Sequence, residues 1–434
     1  MRFNAGSHRF RAVIGLLLAC AVVATSCGSD TEAATPAVDL TQLDVGGYPT
    51  LPRQLGAPKN KDVPRLVEAQ RLANIMPLPV EIDPRFGYQG PGTRTFLLPD
   101  ESHLSPIHRW ISEEHFADDA KGFISGFSAT AQSTKASALA TTLSSNVLIF
   151  TDAAAAPPPR MPPIAGPVAP WVGSYFIIFP LAPAPTPAGA KLSRARFLRD
   201  DKGPVEPAKL NKFPAAHVRW QPGQQTLASW LAQDEFVIVT IAYNAEALML
   251  GESDLPGLSA LAEKAITATS TSLEKFEPTP ADKLMENSID PDGMRSISLA
   301  RPMGDSFVNV PGTYDLHGSL HFPTDPVERK QELVDAGVDR VAHDAGELYR
   351  TADAESAQEL KDKSSQLNRM FRSAPAPKGL PQATCTEYKG PAQGAIRFYC
   401  HVAFDRYYAF MAAEQLLDAQ QRISAQYAIL ANSK

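Results

Sequence analysis

The amino-acid sequence predicts an α+β protein: two tandem, duplicated domains of antiparallel sheet covered by helices, behind a signal peptide and a tether. Three observations lead to that expectation. Features of the first half recur in the same order in the second. The strand-like runs do not alternate with helices in the βαβ rhythm of parallel-sheet proteins. The one abrupt change of composition, a proline-rich stretch, falls inside the first copy only.

The register of the repeat can be read directly. Ile82-Asp83-Pro84 returns as Ile289-Asp290-Pro291, an offset of 207 residues; Gly122-Phe123 returns as Gly337-Val338, an offset of 215; Asp152 returns as Asp353, an offset of 201. The strand at residues 236–243 is matched with residues 396–404 at an offset of only 160, from Ile238 to Phe398. The shortfall falls where a proline-rich insertion lies, at residues 157–190. Eleven of the 38 prolines stand between Pro157 and Pro187, and proline neither donates to a sheet ladder nor continues a helix.

Taken in order, residues 63–75 place Val63, Leu66, Val67, Ala69, Leu72, Ala73 and Ile75 at helical spacing, and Pro77 and Pro79 stop the helix. A short strand is expected at 93–98. Ser105-Pro106 opens a helix to residue 121, with serine as N-cap and proline in the first turn. Residues 123–142 read as another helix, 147–150 as a strand, 175–179 as a strand within the insertion, and 226–232 as a short helix. Residues 236–243 form the clearest buried strand, and Asp254-Leu255-Pro256 starts a helix through Phe276. The second copy is expected to hold a helical stretch at 281–287, a strand at 294–300, an extended run at 317–322, a helix at 326–336, strands at 347–350 and 396–404, and a terminal helix with Met411, Leu416, Ile423, Tyr427 and Leu430 on its apolar side. The domains therefore span residues 62–276 and 281–434.

The N-terminus supplies an address. Arg2, Arg9 and Arg11 precede an apolar run over residues 12–24, too short for the ~20 residues a spanning helix needs. It ends in Ala24-Thr25-Ser26-Cys27, with Leu17-Leu18-Ala19-Cys20 as a competing frame. Residues 1–26 are thus expected to be a lipoprotein signal peptide, Cys27 the acylated N-terminus, and 27–61 a flexible tether. Two or more acyl chains are what stable anchoring requires, and the expected location is the extracytoplasmic face of the cell membrane. Loss of residues 1–26 moves the formal charge from −6 to −9, which excludes a nucleic-acid binder. With Cys20 discarded and Cys27 acylated, Cys385 and Cys400 remain, and in an oxidising compartment a disulfide is the default for such a pair.

No motif assembles a reaction. His108 and His115 would lie about 10 Å apart along a helix, too far for one zinc ion, and His103 stands outside it. His317 and His321 chelate only on a helix, and as an extended pair they are about 13 Å apart. Ser125 lacks a nucleophile-elbow spacing; Ser319, between those two histidines, is the one serine with a base nearby in sequence. Asp290-Pro291-Asp292-Gly293 lacks the remaining ligands of a calcium loop and reads as a turn. No metal and no cofactor is expected, and no catalytic residue is assigned. Trp171, Tyr175 and Phe176, in the insertion, are the candidate contacts for a lipid, a glycan or an envelope protein.

The Cys27 motif, the two Ile-Asp-Pro turns, the Ser145-Asn146-Val147-Leu148-Ile149-Phe150 strand with its Asp-Ala continuation, and the terminal Gln426-Tyr427-Ala428 helix together resemble an uncharacterised two-domain lipoprotein family of mycobacteria, nocardiae and related actinobacteria. That resemblance covers nearly the whole mature chain and implies no activity. The order cysteine, strand, cysteine, strand, helix is similar, in topology alone, to extracytoplasmic sensor domains of mycobacterial serine/threonine kinases. The expected function is a lipid-anchored, non-catalytic binding or scaffold module of the envelope. An envelope hydrolase acting on lipid or glycan, or a transporter's solute-binding lipoprotein, stands as the alternative.

Overall fold

The computed structural model describes residues 38–90, 92–97, 122–135, 139–151, 206–302, 305, 310–390 and 396–433. The signal segment, Cys27, the helix expected from Ser105, and Trp171, Tyr175 and Phe176 lie outside the described residues, as do His103, His108 and His115.

In the first half, β1 (Tyr88–Gln89), β2 (Arg94–Phe96), β3 (Phe123–Gln132), β4 (Thr141–Phe150), β5 (Glu206–Ala208), β6 (His217–Gln221), β7 (Thr226–Gln233) and β8 (Phe236–Asn244) make one antiparallel sheet. Its order is β1-β3-β4-β8-β7-β6-β5, with β2 also paired to β3. Two expected helices are strands. Residues 123–142 alternate Phe127, Ala129 and Ala131 toward one core with Ser128 and Thr130 toward the other face, a period of two carried by small residues. Residues 226–232 likewise send Leu227 and Leu231 to one face and Ala228 and Trp230 to the other. Helices α1 (Asp62–Ala73), α2 (Pro79–Ile82), α3 (Ala245–Leu250) and α4 (Leu255–Leu273) follow the same chain. Packing of α1 and α4 on the sheet buries Phe127, Val147, Ile149, Leu227 and Ile238 against Leu72, Leu261, Ala265 and Ile266. The opposite face carries Phe96, Leu148, Phe150, Trp230, Val237 and Val239, all buried.

The second half forms a seven-stranded antiparallel sheet from β9 (Gly312–Asp315), β10 (Arg340–His343), β11 (Gly346–Arg350), β12 (Phe371–Ala374), β13 (Thr384–Tyr388), β14 (Phe398–Phe404) and β15 (Tyr407–Ala413). Helices α5 (Leu316–Ser319), α6 (Pro326–Asp335) and α7 (Ala354–Ser364) interrupt it, and α8 (Leu416–Ala431) ends it. Met411 is therefore a strand residue of β15. Residues 294–300, expected as a strand, are turns: both carboxylate oxygens of Asp290 take backbone N–H groups, from Arg295 and Ser296, and bend the chain there. Cys385 and Cys400 are directly opposed on β13 and β14 and form a disulfide, as their parity led one to expect.

The connectivity repeats. Reading across each sheet from the strand next to one edge, β3-β4-β8-β7-β6-β5 in one matches β10-β11-β15-β14-β13-β12 in the other. Gly122 before β3 and Gly337 before β10 both have positive φ, and Asp234 and Asp405 hold φ of 50° and 51° in the β7–β8 and β14–β15 turns. The strand at 236–243 therefore corresponds to β15, not to residues 396–404, which correspond to β7. The length difference lies between β4 and β5, which 55 residues separate, against 20 between β11 and β12.

The expected tether is not all free. Residues 39–53 pack on the second half: Tyr48 Oη donates to Asp418 at 2.5 Å, Gln421 Nε2 to Asp44 at 2.9 Å, and Asn432 Nδ2 to the Thr50 carbonyl at 2.9 Å. Leu43 is buried. Short polar and proline-rich sequence hides this docking, because its partners are side chains of α8 nearly 380 residues away. Among the described residues no helix is long and apolar enough to cross a membrane.

Candidate functional site at the domain junction

Helix α1 is the hub of the junction. One side packs on β3 and the other on β9 of the second domain, so polar residues that a one-sided amphipathic helix would leave in water are enclosed. Glu68 is fully buried; its carboxylate accepts from Thr279 N at 2.8 Å, Thr279 Oγ1 at 2.9 Å and Arg71 Nη1 at 2.7 Å, fixing the interdomain link. Gln70 donates to the Pro311 carbonyl and accepts from Thr313 N, both at 3.2 Å. Asn74 Oδ1 accepts from Asp315 N at 3.2 Å. Each bond pairs a group that burial would otherwise penalise.

A histidine and aromatic seam continues from there. Asp315 caps α5 through the Gly318 N–H at 2.8 Å, and this turn of helix, not an extended run, carries His317. His317 Nδ1 lies 3.0 Å from the Asn74 carbonyl and Nε2 lies 3.2 Å from Glu81 Oε2. Both partners are acceptors, so the imidazolium satisfies both. The Glu81 hydrogen bond raises the His317 pKa although burial opposes it, and the same bond lowers that of Glu81. His321, whose ring centre is 5.9 Å from that of His317, is buried against Phe127 and donates Nε2–H to the Met76 carbonyl at 3.2 Å. Burial, and then the charge of His317, push its pKa down to about 3. Phe322 and His343 extend the seam to Tyr314, with ring centres 4.6 Å apart for Phe322 and His343 and 4.8 Å for Tyr314 and Phe322.

Beyond Tyr314 lies a corner rich in arginine. The β10–β11 turn presents Asp344, whose side chain is 4% exposed. Its carboxylate accepts from Arg53 Nη2 and from Arg301 N, the latter at 2.8 Å, while its carbonyl takes the Arg301 guanidinium at 3.0 and 3.2 Å. Arg53 Nη2 also donates to the Arg295 carbonyl, and Arg53 N to the Ser296 carbonyl at 2.8 Å. The half-buried Arg295 guanidinium has its pKa lowered by burial; Asp344 opposes that effect and Arg53 adds to it. The buried Tyr314 hydroxyl lies beside Thr95, outside good hydrogen-bond geometry; burial raises its pKa and Thr95 opposes that rise.

The serine and histidine candidates come near one another without forming a nucleophile and base. Ser319 Oγ donates to the Leu316 carbonyl at 2.8 Å, while the His317 nitrogens are engaged by Asn74 and Glu81. Ser125 Oγ is buried on β3 without a partner. Asp292 pairs with Arg340 at 2.9 Å and Asp290 serves the turn, so that loop is a turn, as read. Among the described residues no group of three His, Cys, Asp or Glu side chains is placed to hold a metal ion. The sequence reading missed Gln70, Asn74, Arg53, Arg295, Tyr314 and Asp344. One signal was present: Glu68 and Gln70 flank Ala69 in a helix whose pattern otherwise encloses that side.

Two antiparallel sheets of one connectivity, joined through a shared helix, define a duplicated two-domain α+β protein. Residues 55–157 and 171–289 match the N-terminal part, and residues 295–433 the C-terminal part, of a family described as a domain of unknown function, DUF7373. The chain belongs to that family. The match is interrupted within the proline-rich segment, at residues 158–170. No curated protein and no solved structure matches the chain.

Proposed function

We propose that the chain is a lipid-anchored extracytoplasmic module that binds or scaffolds at the cell envelope and performs no reaction. Its kin would be the lipoproteins of mycobacteria, nocardiae and related actinobacteria. The observation that carries the reading is the N-terminal pattern: a basic start, a short apolar run and Ala24-Thr25-Ser26-Cys27, after which the acyl chains hold the protein to the membrane.

The junction supports the non-catalytic half of the reading. Ser319, His317, Glu81 and Glu68 are the side chains nearest to an acid–base set; His317, Glu81 and Glu68 are spent on holding the junction together, and Ser319 bonds back onto its own helix. A hinge-closing solute binder would need those interdomain bonds to break. The binding surfaces of this module are the arginine corner of the junction and Trp171, Tyr175 and Phe176 of the insertion.

Replacing Cys27 with Ala and fractionating the cell tests the anchor. Loss of acyl labelling together with release from the membrane is expected; membrane retention with no acylated form in the parent chain sinks it. Native mass spectrometry of the protein from its own envelope tests binding, where recovery of the bare chain alone counts against the reading.

A further inference from the structure

The arginine corner has more donors than acceptors. Arg53 Nε, Arg295 Nε and the Tyr314 hydroxyl are all buried and all lack a hydrogen-bond partner. They come from three separate segments: the strap at residues 39–53, the turn after Asp290, and strand β9. The nearby carboxylates are already spent. Asp344 is occupied by Arg53 and by the Arg301 N–H, Asp290 by the backbone of Arg295 and Ser296, and Asp305 by Arg422 at 2.8 Å. A buried donor without a partner is destabilising, and more so when it carries charge. The corner therefore holds a surplus of buried donors, two of them on guanidinium groups, which is the donor chemistry of an oxyanion cradle.

We propose that Arg53, Arg295 and the Tyr314 hydroxyl form a binding site for a phosphate-type oxyanion, free or as the headgroup of an anionic lipid. A planar guanidinium meets such a group with two parallel N–H bonds, and the phenol adds a third donor. Arg53 links the anion to Asp344 and so to the β10–β11 turn. Because Arg53 lies on the strap, occupancy of the site would also fasten the strap to the second domain. The inference deepens the binding-module reading, since it assigns a ligand class to the junction of that module.

The test uses the full chain in detergent, titrated with sodium phosphate at constant ionic strength against sodium chloride, with affinity read by calorimetry. Phosphate is expected to bind and chloride not to. Arg295→Gln is expected to weaken phosphate binding by roughly tenfold or more, with Tyr314→Phe weakening it less and Arg295→Lys retaining part of it. Circular dichroism at neutral pH establishes that each variant is folded; should Arg295→Gln unfold, Arg53→Gln gives the same comparison. Vesicles of neutral phosphatidylcholine with and without phosphatidic acid distinguish the sources. Binding of the phosphatidic acid vesicles that depends on Arg295 identifies a headgroup, and phosphate binding without it identifies a free anion. Equal response to phosphate and chloride, or phosphate binding unchanged in the arginine variants, overturns the proposal. A molecule that co-purifies with the chain and is retained in Arg295→Gln, alongside an equal response to phosphate and chloride, would uphold the binding module while overturning this site, so the two failures are separable.

Discussion

Lowering the pH from 6.5 to 5 is expected to remove about 3 kcal/mol of stability, through two histidines that the fold keeps neutral. His321 and His401 are 4% and 5% exposed, and each has its pKa pushed down to about 3. For His321 the causes are burial and then His317. For His401 they are burial and then Lys361 and Arg329, while Tyr408 Oη lies 2.8 Å from its Nδ1. An unfolded histidine takes its proton near pH 6.5, so below that value the unfolded chain binds two protons that the folded chain refuses. The unfolded histidine is half protonated at pH 6.5 and almost fully so at pH 5, which gives about 1.6 kcal/mol for each and about 3 kcal/mol for the two together. His343 acts in the same direction. His317 has the opposite sign: its raised pKa stabilises the fold fully below 6.5 and loses that effect as pH rises through the folded value. It adds no slope in this window, because both states are then protonated there. Asp83, held well below the usual carboxylate range by Arg85, changes its contribution only at lower pH. Urea unfolding of the full chain at pH 7, 6.5, 6 and 5 measures the effect, and His401→Gln is expected to remove about half of the slope. A midpoint that stays flat between pH 6.5 and 5, or an undiminished slope in His401→Gln, would refute the reasoning.

Other expectations concern single contacts. Gln70→Met removes both hydrogen bonds to Pro311 and Thr313 while keeping volume, and is expected to cost about 1–3 kcal/mol in urea unfolding; no loss would mean that the junction is not held there. Arg422→Met strands the buried Asp305 carboxylate, with side chains 7% and 3% exposed, at a cost of about 3–5 kcal/mol. The double variant with Asp305→Leu should recover most of that loss. Reducing Cys385–Cys400 opens a loop worth about 3 kcal/mol in the chain-entropy account, or on the order of 6–12 °C in Tm for a domain of this size. An unchanged Tm with free thiols confirmed would contradict it.

How far the fold was legible depended on how local its causes are. The disulfide followed from counting cysteines, and α4 from Asp254 and Pro256 at its start, although Asp254 spends its carboxylate on Asn244 Nδ2 at 2.7 Å rather than on the cap. The buried strand β8 was clear from its unbroken apolar run. Strand β3 was misread because Ala129, Ala131, Ser128 and Thr130 carry too little hydrophobic contrast to separate a period of two from a helix. The repeat was visible, but its last correspondence slipped by one strand, since β7 and β8 are two similar runs joined by a tight turn at Asp234. The junction was least legible. Gln70, Asn74 and His317 acquire their roles from partners some 240 residues away, and the arginine corner is assembled from three segments with no shared pattern.

The docking of residues 39–53 has a mechanical consequence. The strap ends on α8 and on the β10–β11 turn, so a segment that precedes the first domain in sequence is moored to the second. A pull on the chain ahead of Asp39 would therefore load Asp44, Tyr48 and Arg53, and through them the second domain, before it reached α1.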